Sequence, residues 1–244
     1  MVATRSPSGD PVRMAKAPHL EVERGWLDEG HALVAGADEV GRGALAGPVS
    51  AGIVLLDHAR PAPEGLRDSK LLSAAQREAL VPAIETWATA WAVGHATAAE
   101  IDRWGIMPAL RLAGERALAS LPRLPEIVLL DGDHDWFHRP FRLDVSPLAD
   151  PAPRVELRVK ADLECASAAA ASVLAKVARD RLMAELAVEH PAYGWEENRG
   201  YASDAHRSAL VAHGPCDQHR KTWRLLPGGE QTEMWSGATP DGAA

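Results

Sequence analysis

The stretch LVAGADEVGRGALAGPVSAGIVLL, residues 33–56, contains two apolar runs of strand length with a glycine-rich loop between them. The runs at 33–38 and 49–56 predict two consecutive β-strands, because each is short and apolar. Asp38 and Glu39 stand where the first run ends, directly before the loop. On spacing alone, this pattern suits either a strand ending in a hairpin or a site that joins carboxylates to a flexible loop.

The loop Gly41-Arg42-Gly43 can bring backbone N–H groups close to a phosphate or sugar oxygen, because glycine has no side chain to block the approach. Gly-X-Gly segments are also common in hairpin turns, so the loop alone does not identify a site. It is not the dinucleotide-binding fingerprint, since no third glycine follows at the required spacing and a strand comes next. It also lacks the Gly-Lys-Ser/Thr ending of a P-loop.

Strand-length apolar runs alternate with helix-length segments along the rest of the chain. Further strands are predicted at 91–96, 126–131 and 155–159. Helices are predicted at 108–120 and at 167–190. The alternation predicts an α/β fold with a mixed sheet flanked by helices, followed by a helical C-terminal extension.

Two capping boxes mark further helix starts, one formed by Ser73 and Gln76 and one by Thr97 and Glu100. Pro82 is expected to interrupt the first of these helices, because proline lacks the backbone N–H that a helix needs. In the long helix at 167–190, apolar residues recur every four positions and predict its buried face. They are Leu174, Ala178, Leu182 and Leu186, with Lys176, Arg179 and Asp180 off that stripe.

The composition is that of a soluble globular protein, with 244 residues, 46% hydrophobic and 25% charged. No apolar run is long enough for a membrane span, and the N-terminal residues have no apolar core typical of a secretory signal. Only two cysteines occur, Cys165 and Cys216, which favours a reducing compartment and therefore the cytoplasm. The net charge of −8 argues weakly against a nucleic-acid partner, but a local basic groove can coexist with it.

The chain is expected to form one continuous domain between two disordered ends. Residues 1–20 are rich in Ser, Pro, Gly and single charges, and residues 227–244 have the same character. Residues 21–226 contain no low-complexity linker and no repeat, and we expect them to form this one domain.

Three aspartates share a placement at strand ends: Asp38 and Asp131 end apolar runs, and Asp162 follows one closely. Ligands of α/β folds gather beyond strand ends, and grouped carboxylates repel one another unless a cation joins them. With Glu39, these residues predict a site for hard divalent cations such as Mg²⁺ or Mn²⁺. The alternative is that the aspartates only cap helices and turns.

Three other segments have two interpretations each. Ser69 and Lys70 precede a capping box, which suits phosphate binding or merely a solvated loop. Tyr201, in the segment NRGY, either stacks on a sugar or base or holds a loop as a half-buried side chain. His213, Cys216 and His219 have spacing reminiscent of a zinc site, but the absence of a clear fourth ligand favours a structural role beside a basic rim.

The ordered motifs together resemble bacterial ribonuclease HII. They are GADEVGRG, DSK, LLDG, KAD followed by SAAAASVLAKVARD, YGW, NRGY and HG…HRKTW, from Val34 to Trp223. The resemblance implies a ribonuclease-H-like fold. It also implies metal-dependent endonucleolytic cleavage of RNA in RNA–DNA hybrids and at single ribonucleotides in duplex DNA.

The resemblance also implies residue roles. Asp38, Glu39 and Asp131 match the metal-binding carboxylates of the family, and Asp162 matches its fourth acid. Gly41, Arg42 and Gly43 match the loop that reads the 2′-hydroxyl and the adjoining phosphates. Tyr201 matches the tyrosine that packs on the junction sugar. Ala44 departs from a common proline, which is expected to loosen the loop, and Ala161 departs from a common glycine. Two Mg²⁺ or Mn²⁺ ions are expected with substrate bound.

The basic residues Arg199, Arg220, Lys221 and Arg224 are expected to hold duplex backbone. The expected partners are RNA–DNA hybrid and ribonucleotide-containing duplex DNA, with no membrane, and a monomer is expected. Two alternatives belong to other classes. One is a non-catalytic nucleic-acid-binding module, which would have lost a catalytic carboxylate. The other is a small-molecule phosphotransferase, which would need a nucleotide-binding loop.

Overall fold

A five-stranded mixed sheet forms the centre of the fold, and the computed structural model describes residues 17–137 and 153–226. The strands are β1 (Val34–Val40), β2 (Val49–Leu56), β3 (Ala90–Ala96), β4 (Ile127–Asp131) and β5 (Arg154–Arg158). They lie in the order β3-β2-β1-β4-β5. The pairs β1–β2 and β2–β3 are antiparallel, whereas β1–β4 and β4–β5 are parallel. The predicted mixed sheet is therefore confirmed.

Helices cover both faces of this sheet. The α-helices of the described residues are α1 (Glu21–Asp28), α2 (Ala74–Trp87), α3 (Ala98–Trp104), α4 (Ile106–Ala119), α5 (Ala161–Glu164), α6 (Ala166–Glu189), α7 (Trp195–Asn198) and α8 (Asp204–His213), of which α7 and α8 follow the sheet. Successive residues of β1 point to opposite faces, so Val34 packs with α6 and α2 while Ala35 packs with α4. The helices α7 and α8 with the end of α6 form a separate small core, and the helical C-terminal part is thus confirmed.

Small residues let helix and sheet backbones approach closely. A Cβ added to Gly36 of β1 would lie 2.3 Å from the backbone of Ser167, and one added to Gly94 of β3 would lie 2.0 Å from the Ala113 carbonyl oxygen. The alanine-rich first half of α6 is accordingly buried almost all round. This close packing fixes the start of α6, and with it the segment that carries Asp162, against β1.

Both capping boxes form, but the expected interruption at Pro82 is wrong. The helix α2 runs through Pro82 from Ala74 to Trp87. Pro82 and Glu78, whose carbonyl loses its helix partner, are both exposed, so water can solvate that carbonyl. The buried residues Ile84 and Trp87 beyond the proline pack into the core and hold the second half of the helix in line.

The predicted buried stripe of α6 is only partly right. Leu174 is buried, but Ala178, Leu182 and Leu186 are only partly so. Arg179, which lies off that stripe, is fully buried. The reason is that the second half of the helix turns a different face, containing Arg179 and Met183, toward the glycine loop and the C-terminal core.

The N-terminal helix α1 was not predicted from the sequence. Just before it, His19 pairs with Cys165 and Leu20 is buried, so packed structure begins inside the segment expected to be a disordered arm. Residues 1–16 and 227–244 lie outside the described residues. Both cysteines are free. Within the described ranges, no helix has the length and apolar character needed to cross a membrane.

Candidate active site

Four carboxylates meet at one edge of the sheet. Because β1 and β4 are parallel neighbours, Asp38 near the end of β1 and Asp131 at the end of β4 reach the same edge. Asp162, in the first turn of α5, donates its backbone N–H to Asp131 Oδ1 at 3.4 Å. Glu39 is close enough that its charge acts on Asp38. The structure thus brings together all four acids that the sequence pointed to.

These acids are costly to ionise together. Burial, and then the charge of Glu39, raise the pKa of Asp38 well above its usual range, and Asp38 is only 5% exposed. Burial raises the pKa of Glu39, although the nearby Arg42 guanidinium opposes this. Burial and the charge of Asp162 raise the pKa of Asp131. Mutual repulsion in a partly desolvated site is what a bound cation would relieve.

Lys70 already places a cation in this cluster. Its Nζ lies 3.0 Å from Asp162 Oδ2 and 3.9 Å from Asp68 Oδ1. Burial alone would lower the pKa of Lys70, but the hydrogen bond and charge of Asp162, with the charges of Asp38 and Asp68, raise it. The ammonium expected to meet a phosphate therefore lies on the carboxylates.

The neighbouring Ser69 hydroxyl does not face solvent. Ser69 is buried, and its Oγ lies 2.7 Å from Oγ of Ser172 on α6. A hydrogen bond from Ser172 in turn lowers the pKa of Asp38, against the stronger effect of burial. The expected direct contact of Ser69 with substrate is thus replaced by a buried hydroxyl pair that supports the acidic cluster.

The glycine loop lies next to the acids and is exposed at its tip. Gly41 has φ +85° and is buried, whereas Arg42 and Gly43 are exposed. Arg42 Nη1 lies 3.6 Å from Glu39 Oε1, which ties the loop to the carboxylates. A Cβ on Gly41 would lie 2.1 Å from Nε of Arg179 beneath it, so only glycine fits there.

Tyr201 stands beside the same loop. The carbonyl of the preceding Gly200 accepts hydrogen bonds from the N–H groups of Leu45 (2.8 Å) and Ala46 (3.2 Å). The Tyr201 ring is 37% exposed, with the Arg179 guanidinium 5.5 Å from its centroid. The structure therefore gathers Tyr201, the loop and the acids on one surface.

The basic residues near the C-terminus do not all face solvent. Lys221 and Arg224 are exposed, and Arg199 is half-buried with its Nε 3.9 Å from Asp180 Oδ1. Arg220 is fully buried, so its expected role on the duplex backbone is wrong. Its guanidinium instead donates hydrogen bonds to backbone carbonyls of the glycine loop.

Comparison with known proteins decides the family. The family model described as Ribonuclease HII matches residues 35–226. Ribonuclease HII of Paracoccus denitrificans is 48% identical over 206 residues, which cover 84% of this chain and 91% of that protein. The chain belongs to the ribonuclease HII family. The resemblance read from the motifs between 34 and 223 is confirmed, and the protein is an endoribonuclease H.

A second ribonuclease HII, from Streptomyces coelicolor, is 46% identical over 197 residues, covering 81% of this chain and 79% of that protein. The crystal structure of ribonuclease H2 from Pyrococcus horikoshii OT3 superposes with a TM-score of 0.59 at 26% identity, covering 79% of this chain and 94% of that one. The ribonuclease-H-like fold is thereby shown as well.

Within this ribonuclease HII chain, the two departures from the family pattern are well accommodated. Ala44 is fully buried, and its N–H donates to the Gly41 carbonyl at 3.3 Å. Proline has no such N–H, so the alanine adds a turn hydrogen bond where a looser loop was expected. Ala161 is also fully buried and packs with Leu129 and Cys165.

The zinc-like spacing near the C-terminus has a structural explanation. His219 is buried, its Nδ1 lies 3.3 Å from Cys216 Sγ, and its Nε2 lies 3.1 Å from Nε2 of His206. Burial, and then the neighbouring His206, lower the pKa of His219 to about 3, so the ring is neutral. His213 is exposed and outside this group, so the three residues do not form one ligand set.

Sequence reasoning missed Arg179 and the true role of Arg220. A signal existed for Arg179, since Ala175, Arg179, Met183 and Ala187 also recur every four residues and are all buried. No such local signal existed for Arg220. Its partners lie more than 170 residues earlier in the chain.

Proposed function

We propose that the protein is a divalent-metal-dependent endonuclease that hydrolyses the RNA strand of RNA–DNA hybrids. It also cuts on the 5′ side of ribonucleotides embedded in duplex DNA, leaving 5′-phosphate and 3′-hydroxyl ends. One observation carries this proposal. Four carboxylates lie beside a glycine loop with an exposed tip at one sheet edge, and burial raises the pKa values of three of them, Asp38, Glu39 and Asp131.

The donor set fits a hard divalent cation. It offers only carboxylate oxygens, which Mg²⁺ and Mn²⁺ prefer, and the Lys70 ammonium already pairs with Asp162 at 3.0 Å. Asp38, Glu39 and Asp131 would hold metal directly, with Asp162 as the fourth acid. Two Mg²⁺ or Mn²⁺ ions bound there with substrate would activate the attacking water and stabilise the leaving 3′-oxygen.

The loop and Tyr201 would supply the distinction between RNA and DNA. The 2′-hydroxyl is the chemical difference between the two sugars, and it can both donate and accept hydrogen bonds. Arg42 and Gly43, after the buried Gly41, present backbone at the exposed tip beside the acids, and the exposed Tyr201 ring offers a flat surface for a sugar. Lys70 would shift from Asp162 toward a substrate phosphate once metal takes its place.

The test uses a duplex with one ribonucleotide, an all-DNA duplex of the same sequence and a fully paired RNA–DNA hybrid. Each is incubated with Mg²⁺, with Mn²⁺ or with EDTA, and the ends of the products are mapped. We expect metal-dependent cuts 5′ to the ribonucleotide and none in the all-DNA duplex. Binding without cleavage in every metal would instead identify a non-catalytic nucleic-acid-binding module.

Two variants assign the acids. Asp131→Asn is expected to lower cleavage by at least about a hundredfold, because it removes a charged ligand from a site that works by charge stabilisation. Asp133→Asn changes an exposed acid two residues away and is the matched control. Parent-like rates for Asp131→Asn would refute the assigned site. The protein is further proposed to act as a monomer, which sedimentation with and without duplex would check.

A further inference from the structure

Two arginines are buried beneath the glycine loop without a carboxylate partner. Arg179 and Arg220 are both fully buried, and neither forms an ion pair with an acid in the part of the chain that the structure describes. A buried guanidinium is normally paired with a carboxylate because its charge is costly away from water. These two arginines instead donate hydrogen bonds to backbone carbonyls.

Arg220 binds the loop itself. Its Nη2 donates to the Gly41 carbonyl at 2.7 Å, its Nη1 donates to the Arg42 carbonyl at 2.9 Å, and its Nε donates to the Gly47 carbonyl at 3.2 Å. The rigid fork of a guanidinium matches three such acceptors at once, which a lysine cannot do. Trp223 lies over the guanidinium at 4.8 Å and holds it from the other side.

Arg179 supports the next part of the loop. Its Nε donates to the Pro48 carbonyl at 2.8 Å and its Nη2 donates to the Ala46 carbonyl at 3.2 Å. Its Nη1 donates to the carbonyl of Arg199, two residues before Tyr201, at 2.9 Å. One side chain therefore fixes both the loop and the segment that carries the tyrosine.

The peptide geometry determines what the loop presents outward. In a trans peptide the C=O and the following N–H point in opposite directions. Because Arg220 draws the Gly41 and Arg42 carbonyls inward, the N–H groups of Arg42 and Gly43 point outward. Both of these residues are exposed, and neither N–H has a protein partner in the described ranges.

The charges of the two arginines are only partly compensated, by the more distant carboxylates of Asp180 for Arg179 and Asp102 for Arg220. Burial, and then the charge of Arg179, lower the pKa of Arg220 to about 9, so it stays protonated at neutral pH. Burial also lowers the pKa of Arg179. A phosphate group bound on the outer side of the loop would add negative charge beside the two guanidinium groups.

We propose that Arg220, with Arg179, is a positioning residue that sets the ribonucleotide selectivity of this enzyme. It does so by fixing the loop carbonyls inward, so that two N–H groups face a ribose or phosphate oxygen over a positive charge. This inference rests on the proposed function. If the loop carbonyls were free to turn outward, they would present hydrogen-bond acceptors to a polyanion. The enzyme would then lose its preference for ribonucleotide-containing duplex over all-DNA duplex.

The experiment measures a ratio of affinities. Fluorescence anisotropy in Ca²⁺, used to hold cleavage back, gives Kd for a duplex with one ribonucleotide and for the matched all-DNA duplex. The ratio is the Kd for the all-DNA duplex divided by the Kd for the duplex with one ribonucleotide. The proposed function requires this ratio to be above one in the parent protein. In Arg220→Gln that ratio should fall roughly tenfold or to one, since one to two hydrogen bonds to substrate lose their alignment. Arg220→Lys should recover part of it.

Arg207→Gln is the matched control. Arg207 is another arginine of the C-terminal part that donates to a backbone carbonyl, that of Leu225 at 3.0 Å, but it does not touch the loop. Partial unfolding would lower the fraction of active protein but leave the ratio of the two Kd values unchanged. We expect Arg207→Gln to keep the parent ratio. Arg220→Gln is informative only if it folds. Arg220→Lys is therefore tested in the same way, and the ¹⁵N–¹H resonances of Arg42 and Gly43 are recorded together with its Kd ratio. A parent ratio with unmoved resonances in Arg220→Lys would overturn the inference.

Discussion

At the residue scale, the buried Asp38 carboxyl reduces the stability of the folded protein when it is ionised. Burial, and then the charge of Glu39, raise its pKa, so the folded protein holds this proton more tightly than the unfolded chain does. The charged form therefore opposes folding. Its cost is absent below the usual carboxyl pKa of about 4 and grows as the pH rises through the higher pKa of the folded state.

Asp38→Asn should consequently be more stable than the parent protein when no divalent metal is present. At pH 7 in EDTA we expect its Tm to rise by a few degrees, since about 1 kcal/mol shifts the Tm of a protein of this size by roughly 2–4 °C. The gain should shrink toward pH 4, where the parent carboxyl is protonated. Thermal melts across pH check this. A Tm below the parent value at pH 7 would show that the hydrogen bonds of Asp38 outweigh its charge.

The acids could be found from the sequence, whereas the burial of Arg220 could not. A strand end is a local feature, so Asp38 and Asp131 follow from their own apolar runs. Arg220 is buried against the carbonyls of Gly41, Arg42 and Gly47, and that partnership exists only in the folded chain. An arginine in a basic stretch therefore looks like a surface residue until its partners are known.

Among the elements, α1 was missed for a similar reason. The contacts that fix α1 to the rest of the domain are made with residues distant in the sequence. The fully buried Glu23 accepts hydrogen bonds at Oε1 from the backbone N–H and the hydroxyl of Ser167, at 2.9 and 2.6 Å, in the first turn of α6. The residue before α6, Cys165, makes no side-chain cap, so the carboxylate from α1 serves as the N-terminal cap. No sequence pattern near either helix announces that contact.

Glu23→Ala should destabilise the protein by about 1–3 kcal/mol, because it leaves two buried donors at Ser167 without an acceptor. Glu21→Ala removes an exposed acid from the same helix and should change the free energy of unfolding by less than about 0.5 kcal/mol. Urea unfolding followed by circular dichroism measures both. Equal values for the two variants would mean that α1 does not cap α6.

The helix α2 is an element whose continuity depends on packing more than on propensity. Pro82→Ala should stabilise it by about 1–2 kcal/mol, less than the roughly 3 kcal/mol of an intact helix interior, because the proline also restrains the unfolded chain. The restored N–H can reach the exposed Glu78 carbonyl. Ala83→Gly, at the next exposed position, should destabilise by about 1 kcal/mol and reports the sensitivity of the same turn. A less stable Pro82→Ala would show that the present backbone needs the proline.

At the scale of the whole molecule, a protein with a negative net charge is proposed to bind a polyanion. The net charge of −8 includes the four clustered acids, which a bound metal would neutralise, and many surface acids away from the site. The positive charge is placed locally. Arg179 and Arg220 lie under the loop, and Lys221 and Arg224 are exposed just after Arg220 in the chain. The fold class and the acids follow from sequence periodicity, but this arrangement of charge follows only from the packing of the C-terminal part onto the loop.

Binding should therefore be strongly salt-dependent despite the net charge, and exposed cations near the loop should contribute one by one. Arg224→Gln should reduce the slope of log Kd against log salt by about 0.9, with equal loss of affinity for ribonucleotide-containing and all-DNA duplexes. Arg123→Gln removes the same charge at the opposite end of β4 from Asp131 and should leave the slope unchanged. Anisotropy titrations in Ca²⁺ at several salt concentrations measure both. A parent slope in Arg224→Gln would remove Arg224 from the binding face, because a phosphate contact cannot be lost without releasing fewer counterions.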